Sequence, residues 1–428
     1  MHPFTAAFLA ALALSTAIRL WLALRHMRHV GAHRDRVPPE FAERIALAAH
    51  QKAADYSRAK TRLAVFDTLI GAALLLAFTL GGGLQALSDA WSGVFEAGGY
   101  AHGIALILSM GVVSAVIELP LDLYRTFVLE ARFGFNRTTP ALFVADLAKQ
   151  TLVGLLLGVP LLFCVLWLMA RMGDLWWLWV WGTWVGFNLL ILAIYPTLIA
   201  PLFNKFTPLA DEGLKSRIEA LLARCGFHAQ GLYVMDSSRR SSHGNAYFTG
   251  FGRSRRIVFF DTLLTRLSAE EIEAVLAHEL GHFKRRHVIK RMMLLFAGSF
   301  AFLGLLGWLI AEPWFYTALG ATTPSTAMAL ALFALAIPPF TFPLQPIASL
   351  YSRRHEYEAD AYAASHAAPQ ALIQALVKLY EDNASTLTPD PLHSAWYDSH
   401  PPAALRIAHL ATLSGPAAST AGVTSAPT

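Results

Sequence analysis

Of the 428 residues, 55% are hydrophobic and only 15% are charged, proportions that exclude a soluble globular protein and, equally, a disordered chain. Two cysteines, Cys164 in an apolar run and Cys225 in a charged one, exclude a disulfide scaffold. The net charge of +5 gathers in particular loops rather than in a basic domain, a topological pattern that argues for a membrane and against a nucleic-acid partner.

Crossing roughly 30 Å of hydrocarbon takes about 20 mostly apolar residues. Seven stretches qualify, near 4–24, 63–83, 103–123, 151–170, 175–199, 292–311 and 326–350. The first lacks a basic leader and runs into Arg25 and Arg28, so it reads as a retained anchor. The last carries Pro338, Pro339, Pro343 and Pro346 and is expected to kink or break. Lys plus Arg counts between the spans are 9 in 25–62, none in 84–102, 4 in 124–150 and 1 in 171–174; they are 15 in 200–291, none in 312–325 and 4 after 350. High and low values alternate throughout. The positive-inside rule then puts the N-terminus outside, and the 200–291 segment and the C-terminus in the cytoplasm.

Ionisable residues within spans are expensive in lipid and usually face water. Arg19 and Asp67 lie near span ends and can snorkel; Glu118 and Asp122, four apart on one helical face, are expected to line a polar cavity. No internal repeat relates the spans, which weakens a transporter reading.

Residues 201–290 form the long water-soluble insertion. An amphipathic helix is predicted around Leu214 to Cys225, followed by strands at Gly231 to Asp236 and Arg256 to Asp261, with Asn245-Ala246-Tyr247-Phe248 between them. Ser268-Ala269-Glu270-Glu271 is a capping box that starts the next helix. That helix carries His278-Glu279-Leu280-Gly281-His282. The H-E-x-x-H spacing puts both imidazoles on one helical face, where they can bind one Zn²⁺, with Glu279 beside the open position.

A catalytic zinc site normally has three protein ligands, so a third is needed. Arg285 and Val288 stand where a metzincin would need Gly and His. His287, about 140° round a continuous helix from His282, is expected to be solvated or to face headgroups. The other candidate segment is Ser352 to Asp360, after the seventh span and on the same side. There Glu356 and Asp360 are four apart, so that one can ligate while the other accepts a hydrogen bond from a ligand histidine. Spacing alone leaves Glu356 and Glu358 both open as ligands, with Glu358 expected to point elsewhere.

Further stretches carry a resemblance: Phe133 to Asn136, Ile199 to Phe203, Lys205 to Pro208, Asn245 to Phe251, Arg256 to Leu264, Ser352 to Asp360 and Ser399-His400-Pro401-Pro402. Collinear over about residues 60–412, they resemble the type I CAAX prenyl endopeptidases, integral-membrane zinc proteases that trim isoprenylated proteins. The resemblance implies zinc on His278, His282 and Glu356, Glu279 as base, Asp360 behind a ligand, Asn245 and His400 against the substrate near the reacting carbonyl, and Arg406 supporting the same region as part of the substrate site. It also implies a ring of seven helices around a large wet chamber.

The expected fold is therefore an all-α polytopic membrane protein with seven transmembrane helices plus a cytoplasmic gluzincin-like α+β zinc metalloprotease domain. Its expected divisions are spans one to five (1–200), the soluble segment with the motif (201–290), spans six and seven (291–350), a cytoplasmic helical segment with the third ligand (351–412) and a disordered tail (413–428). The expected partners are a peptide or protein substrate, with or without a lipid, and membrane lipid. A quality-control protease with no prenyl requirement is the alternative, ahead of a transporter. Twenty-six arginines against 8 lysines suit a GC-rich bacterial genome, and so an inner-membrane location; a eukaryotic host would imply the endoplasmic reticulum.

Overall fold

The computed structural model describes residues 1–249 and 256–413; the expected disordered tail lies outside the described residues from 414 onward. The first half is helical: α1 (Pro3–Ala32), α2 (Leu47–Phe78), a short α3 (Gly83–Ser92), α4 (Tyr100–Tyr124), α5 (Pro140–Arg171), α6 (Trp176–Ile194) and a single turn, α7 (Ala200–Phe203). Next come β1 (Phe206–Pro208), α8 (Glu212–Arg224), β2 (Gly231–Met235), β3 (Ala246–Thr249), β4 (Arg256–Phe260), the turn α9 (Asp261–Leu264) and α10 (Ala269–Lys284). Then α11 (His287–Leu309), a short α12 (Pro313–Thr317) and α13 (Thr326–Thr341) lead back to α14 (Gln345–His366), α15 (Pro369–Asp382), α16 (Pro391–Tyr397) and α17 (Ala403–Leu413).

Seven helical runs among the described residues are long and apolar enough to cross a membrane: Pro3–Ala32, Leu47–Phe78, Tyr100–Glu130, Pro140–Arg171, Gly173–Phe203, His287–Leu309 and Thr326–His366. Each extends further than its apolar stretch at the end where Lys and Arg gather. Past the hydrocarbon, backbone hydrogen bonding can continue while charged side chains are solvated. Of the four prolines of the last run, Pro338 and Pro339 lie inside α13, Pro343 lies in a 3₁₀ turn, Phe342–Leu344, that separates α13 from α14, and Pro346 sits in the first turn of α14.

The membrane helices do not pack evenly along their length. Their apolar core gathers at the charge-poor end, from Phe8 and Leu12 of α1, Leu75 and Phe78 of α2, Leu106 of α4, Leu166 of α5, Val180 of α6, Leu306 of α11 and Leu332 of α13. Toward the basic end Val116, Leu123, Leu152, Leu156, Leu190 and Leu198 are exposed. Glu118 and Asp122 are exposed toward the same end, where Arg125 bridges Asp122 at 2.6 Å and Asp67 at 2.9 Å.

Across the basic end lies the second body. Its sheet has the order β1-β2-β4-β3, with β2 and β4 parallel and the outer pairs antiparallel. In β4, Ile257, Val258 and Phe259 are all buried, as suits an inner strand covered on both faces. One apolar core joins the sheet and α8 to α10, α14, α15 and α17, with Leu221, Phe259, Leu276, Leu372 and Leu410 all in contact networks within it. Segments on either side of the last two crossings therefore fold as a single unit. Its tightest seam is between α10 and α14, where Gly281 lets the helices meet: a Cβ there would stand 2.9 Å from Ala359 Cα and 3.0 Å from its carbonyl oxygen.

Candidate active site

Helix α10 is fixed at its N-terminus before it presents any chemistry. Ser268 Oγ accepts from the Glu271 N–H at 3.3 Å, and Glu271 Oε2 accepts from the Ser268 N–H at 2.7 Å, the reciprocal capping box. Lys378 reaches Glu271 at 2.8 Å, while Arg217 and Arg224 both pair with Glu273. Two turns on, one helical face carries His278 and His282 with their Nε2 atoms 3.2 Å apart.

Across the Gly281 seam, α14 supplies Glu356, 1% exposed. Its Oε1 lies 3.3 Å from His282 Nε2 and its Oε2 lies 3.5 Å from His278 Nε2. One ligand atom from each of the three residues falls within 4.8 Å of the others, the one such group of metal-binding side chains among the described residues. Four-coordinate zinc with bonds of about 2.0–2.2 Å would space its ligand atoms by roughly 3.4 Å, close to the separation of the two Nε2 atoms and to the distance from each of them to its nearer Glu356 oxygen. A second observation points the same way. Glu356 Oε2 is buried and accepts no hydrogen bond, although His400 Nδ1 comes to 2.7 Å without the alignment of one. An orphaned carboxylate oxygen beside two imidazole lone pairs fits a cation.

Behind His278, its Nδ1 donates to Asp360 Oδ1 at 2.8 Å, which leaves Nε2 bare toward the cluster. Asp360 is fully buried, and the Arg406 guanidinium forks onto it, Nε to Oδ2 at 2.9 Å and Nη2 to Oδ1 at 2.5 Å. Nη2 also stands 3.3 Å from His278 Nδ1, but the shorter contacts with Asp360 place the proton on Nδ1. Burial and the Arg406 charge both push the His278 imidazole down; the Asp360 and Glu356 carboxylates beside it outweigh them and carry it up to about 9. Carboxylates that raise proton affinity also raise affinity for a metal cation.

The remaining expected residues are placed as follows. Glu279, partly exposed, makes no hydrogen bond or ion pair among the described residues. His400 keeps 62% of its side chain exposed beside Glu356, and it lines a cleft of about 450 Å³ shared with Tyr56, Lys60, Tyr397 and Asp398. Asn245 is exposed just before β3, an edge strand; its Oδ1 accepts from the Ala246 N–H and its carbonyl from the Phe260 N–H. Arg406, only 6% exposed, spends its guanidinium on carboxylates.

One expectation fails. His287, expected to be solvated, is 1% exposed: its Nδ1 is 2.9 Å from His282 Nδ1 and its Nε2 is 3.1 Å from Glu358 Oε2. Glu358, expected to point elsewhere, does stand outside the cluster, with His287 between it and His282. A continuous helix would carry His287 away from His282, but the helix is interrupted between them. Helix α10 ends at Lys284, Arg286 takes a left-handed φ of 57°, and α11 starts afresh at His287. A histidine following the basic run Lys284-Arg285-Arg286 was the available signal.

The family profile described as "CAAX prenyl protease N-terminal, five membrane helices" matches residues 26–205, and that for "Peptidase family M48" matches residues 208–414. The CAAX prenyl protease 1 homolog of Oryza sativa subsp. japonica is 37% identical, over 72% of this chain and 73% of its own. CAAX prenyl protease 1 of Saccharomyces cerevisiae is 33% identical over 88% of each chain, and the Homo sapiens homolog 31% over 95% of each. The crystal structure of S. mikatae Ste24p superposes with a TM-score of 0.88 at 32% identity, covering 96% of this chain and 99% of that one.

Proposed function

Since the chain belongs to the CAAX prenyl protease 1 family of M48 peptidases, and so is a membrane-embedded metalloendopeptidase, we propose that its metal is one zinc ion held by His278, His282 and Glu356. The observation that carries this reading is the convergence of two Nε2 atoms 3.2 Å apart on a buried carboxylate whose Oε1 lies 3.3 Å from His282 and whose Oε2 lies 3.5 Å from His278. When bound there, zinc supplies Lewis acidity toward water and the scissile carbonyl.

The chain's own groups do the rest. Glu279, next to a ligand and free of any other partner, takes the proton of the attacking water and delivers it to the leaving amine. His400 has its Nδ1 edge on Glu356 and most of its ring exposed, which suits it to donate to the oxyanion; such donors are worth roughly 3–4 kcal/mol. The substrate adds as a strand along the free edge of β3, where the Asn245 amide donates to its backbone. Asp360 orients His278, and Arg406 holds Asp360 in place rather than touching substrate. The substrate is a prenylated protein with a C-terminal CAAX sequence, whose lipid stays among the membrane helices. The basic side is cytoplasmic, and the membrane is a bacterial inner membrane or, in a eukaryote, that of the endoplasmic reticulum.

The test is cleavage of a farnesylated peptide and its unprenylated counterpart by purified protein of known zinc content. Wild type should carry one zinc per chain and prefer the farnesylated peptide, and Glu279→Gln should keep the zinc and lose turnover. Equal rates on both peptides would favour the quality-control reading. Turnover by Glu279→Gln would remove the base. Single cysteines at Ser92 and Thr322 that label from outside, with one at Ser242 that does not, would fix the orientation; the reverse pattern would overturn it.

A further inference from the structure

His282 presents two ring nitrogens to two different neighbourhoods. Nε2 faces His278 and Glu356 in the cluster, while Nδ1 faces away from it, 2.9 Å from His287 Nδ1. The far nitrogen of His287, Nε2, lies 3.1 Å from Glu358 Oε2. A carboxylate only accepts, so His287 Nε2 carries the proton and donates it to Glu358. His287 Nδ1 then has a lone pair, accepts from His282 Nδ1–H, and leaves His282 Nε2 unprotonated toward the cluster. Every proton in the row has one assignment.

We propose that His287 and Glu358 are positioning residues that set the tautomer and ring angle of His282 as a metal ligand, doing through a second imidazole what Asp360 does directly for His278. The inference rests on the zinc reading above. The row is built to hold one geometry: His287 is 1% exposed and stacks on His355 with ring centroids 4.0 Å apart at 9°, and His355 packs against Tyr351 at 4.3 Å. Arg354 at 3.1 Å and Lys290 at 4.0 Å keep Glu358 charged and turned toward the row. His287 and Lys290 belong to the first turn of α11, so the orientation of a ligand depends on how a membrane helix enters the bilayer.

Partners behind a metal ligand typically change metal affinity about 10- to 100-fold. The experiment measures zinc affinity of the full-length, detergent-purified protein by competition with a chromogenic chelator, and the melting temperature of the same samples with and without zinc. Glu358→Gln is nearly isosteric at a partly exposed position; it should weaken zinc about 10-fold and leave the melting temperature of zinc-free protein unchanged. His287→Ala should weaken it about 100-fold. His287→Gln, which can still accept and donate, should recover part of that loss. Wild-type affinity in Glu358→Gln would overturn the relay. So would an affinity loss in Glu358→Gln matched by an equal fall in zinc-free stability, which would mark the contact as structural only. Absence of stoichiometric zinc from the wild type would overturn the metal reading itself, and the relay with it.

Discussion

His278 and His282 stand one turn apart on the same face of α10, yet they are anchored to different parts of the molecule. His278 is held by Asp360 of α14 and, behind it, Arg406 of α17, all buried within the soluble body. His282 is held by the first residue of a membrane helix and by a carboxylate that is 29% exposed. One side is a buried ion pair, strong when intact and severely destabilising when halved; the other is a hydrogen-bonded row whose loss leaves no charge stranded in the interior. Stability and metal affinity should therefore be coupled on the His278 side and separable on the His282 side.

The largest effect expected is from Asp360→Ala, which leaves the Arg406 guanidinium buried without its partner. Zinc-free protein should lose about 3–5 kcal/mol in denaturant unfolding, and zinc affinity should fall with it. Unchanged zinc-free stability in this variant would erase the contrast between the two sides. Next comes Gly281→Ala. The added methyl meets the Ala359 backbone at 2.9 Å, so α14 must back away, at an overpacking cost of about 1–3 kcal/mol. Because Glu356 rides on α14, zinc affinity should drop although no ligand is altered, and equally on both sides; a titration that matches wild type would show that the seam does not set the ligand spacing.

A smaller change, of opposite sign, belongs to the His282 side. Arg286 is held at φ 57°, a conformation that strains a side-chain-bearing residue by about 1–2 kcal/mol. Arg286→Gly should recover up to about 1 kcal/mol in the melting of zinc-free protein while keeping zinc affinity, because Gly takes the same turn without the clash. A melting temperature lowered by that substitution would mean the arginine side chain matters more than the turn. The smallest effect is a control at the far end of α10. Burial would raise the Glu273 carboxyl, but the hydrogen bonds and charges of Arg217 and Arg224 prevail and hold it below the usual range. Its stabilisation is present above the unfolded value of about 4.3 and is lost as pH falls through the lower folded value. Glu273→Gln should flatten the acid limb of the stability curve and leave zinc affinity at neutral pH alone; an acid limb of unchanged slope would dismiss the contribution.

The sequence by itself determined everything that depends on local period and length. Seven apolar runs mark the crossings because a backbone in hydrocarbon must satisfy its own hydrogen bonds over a fixed thickness. Four-residue spacing puts His278 and His282 on one face because that is the pitch of the helix, and Ser268 and Glu271 announce where the helix begins. Tertiary structure decided what lies across the gap. Spacing could not choose between Glu356 and Glu358; the Gly281 seam does, turning Glu356 to the histidines and Glu358 to His287. Nor could periodicity find His287. One left-handed residue at Arg286 breaks the helix and brings the His287 ring back to His282, and a single φ angle of that kind leaves almost no trace in residue type when the residue is not glycine.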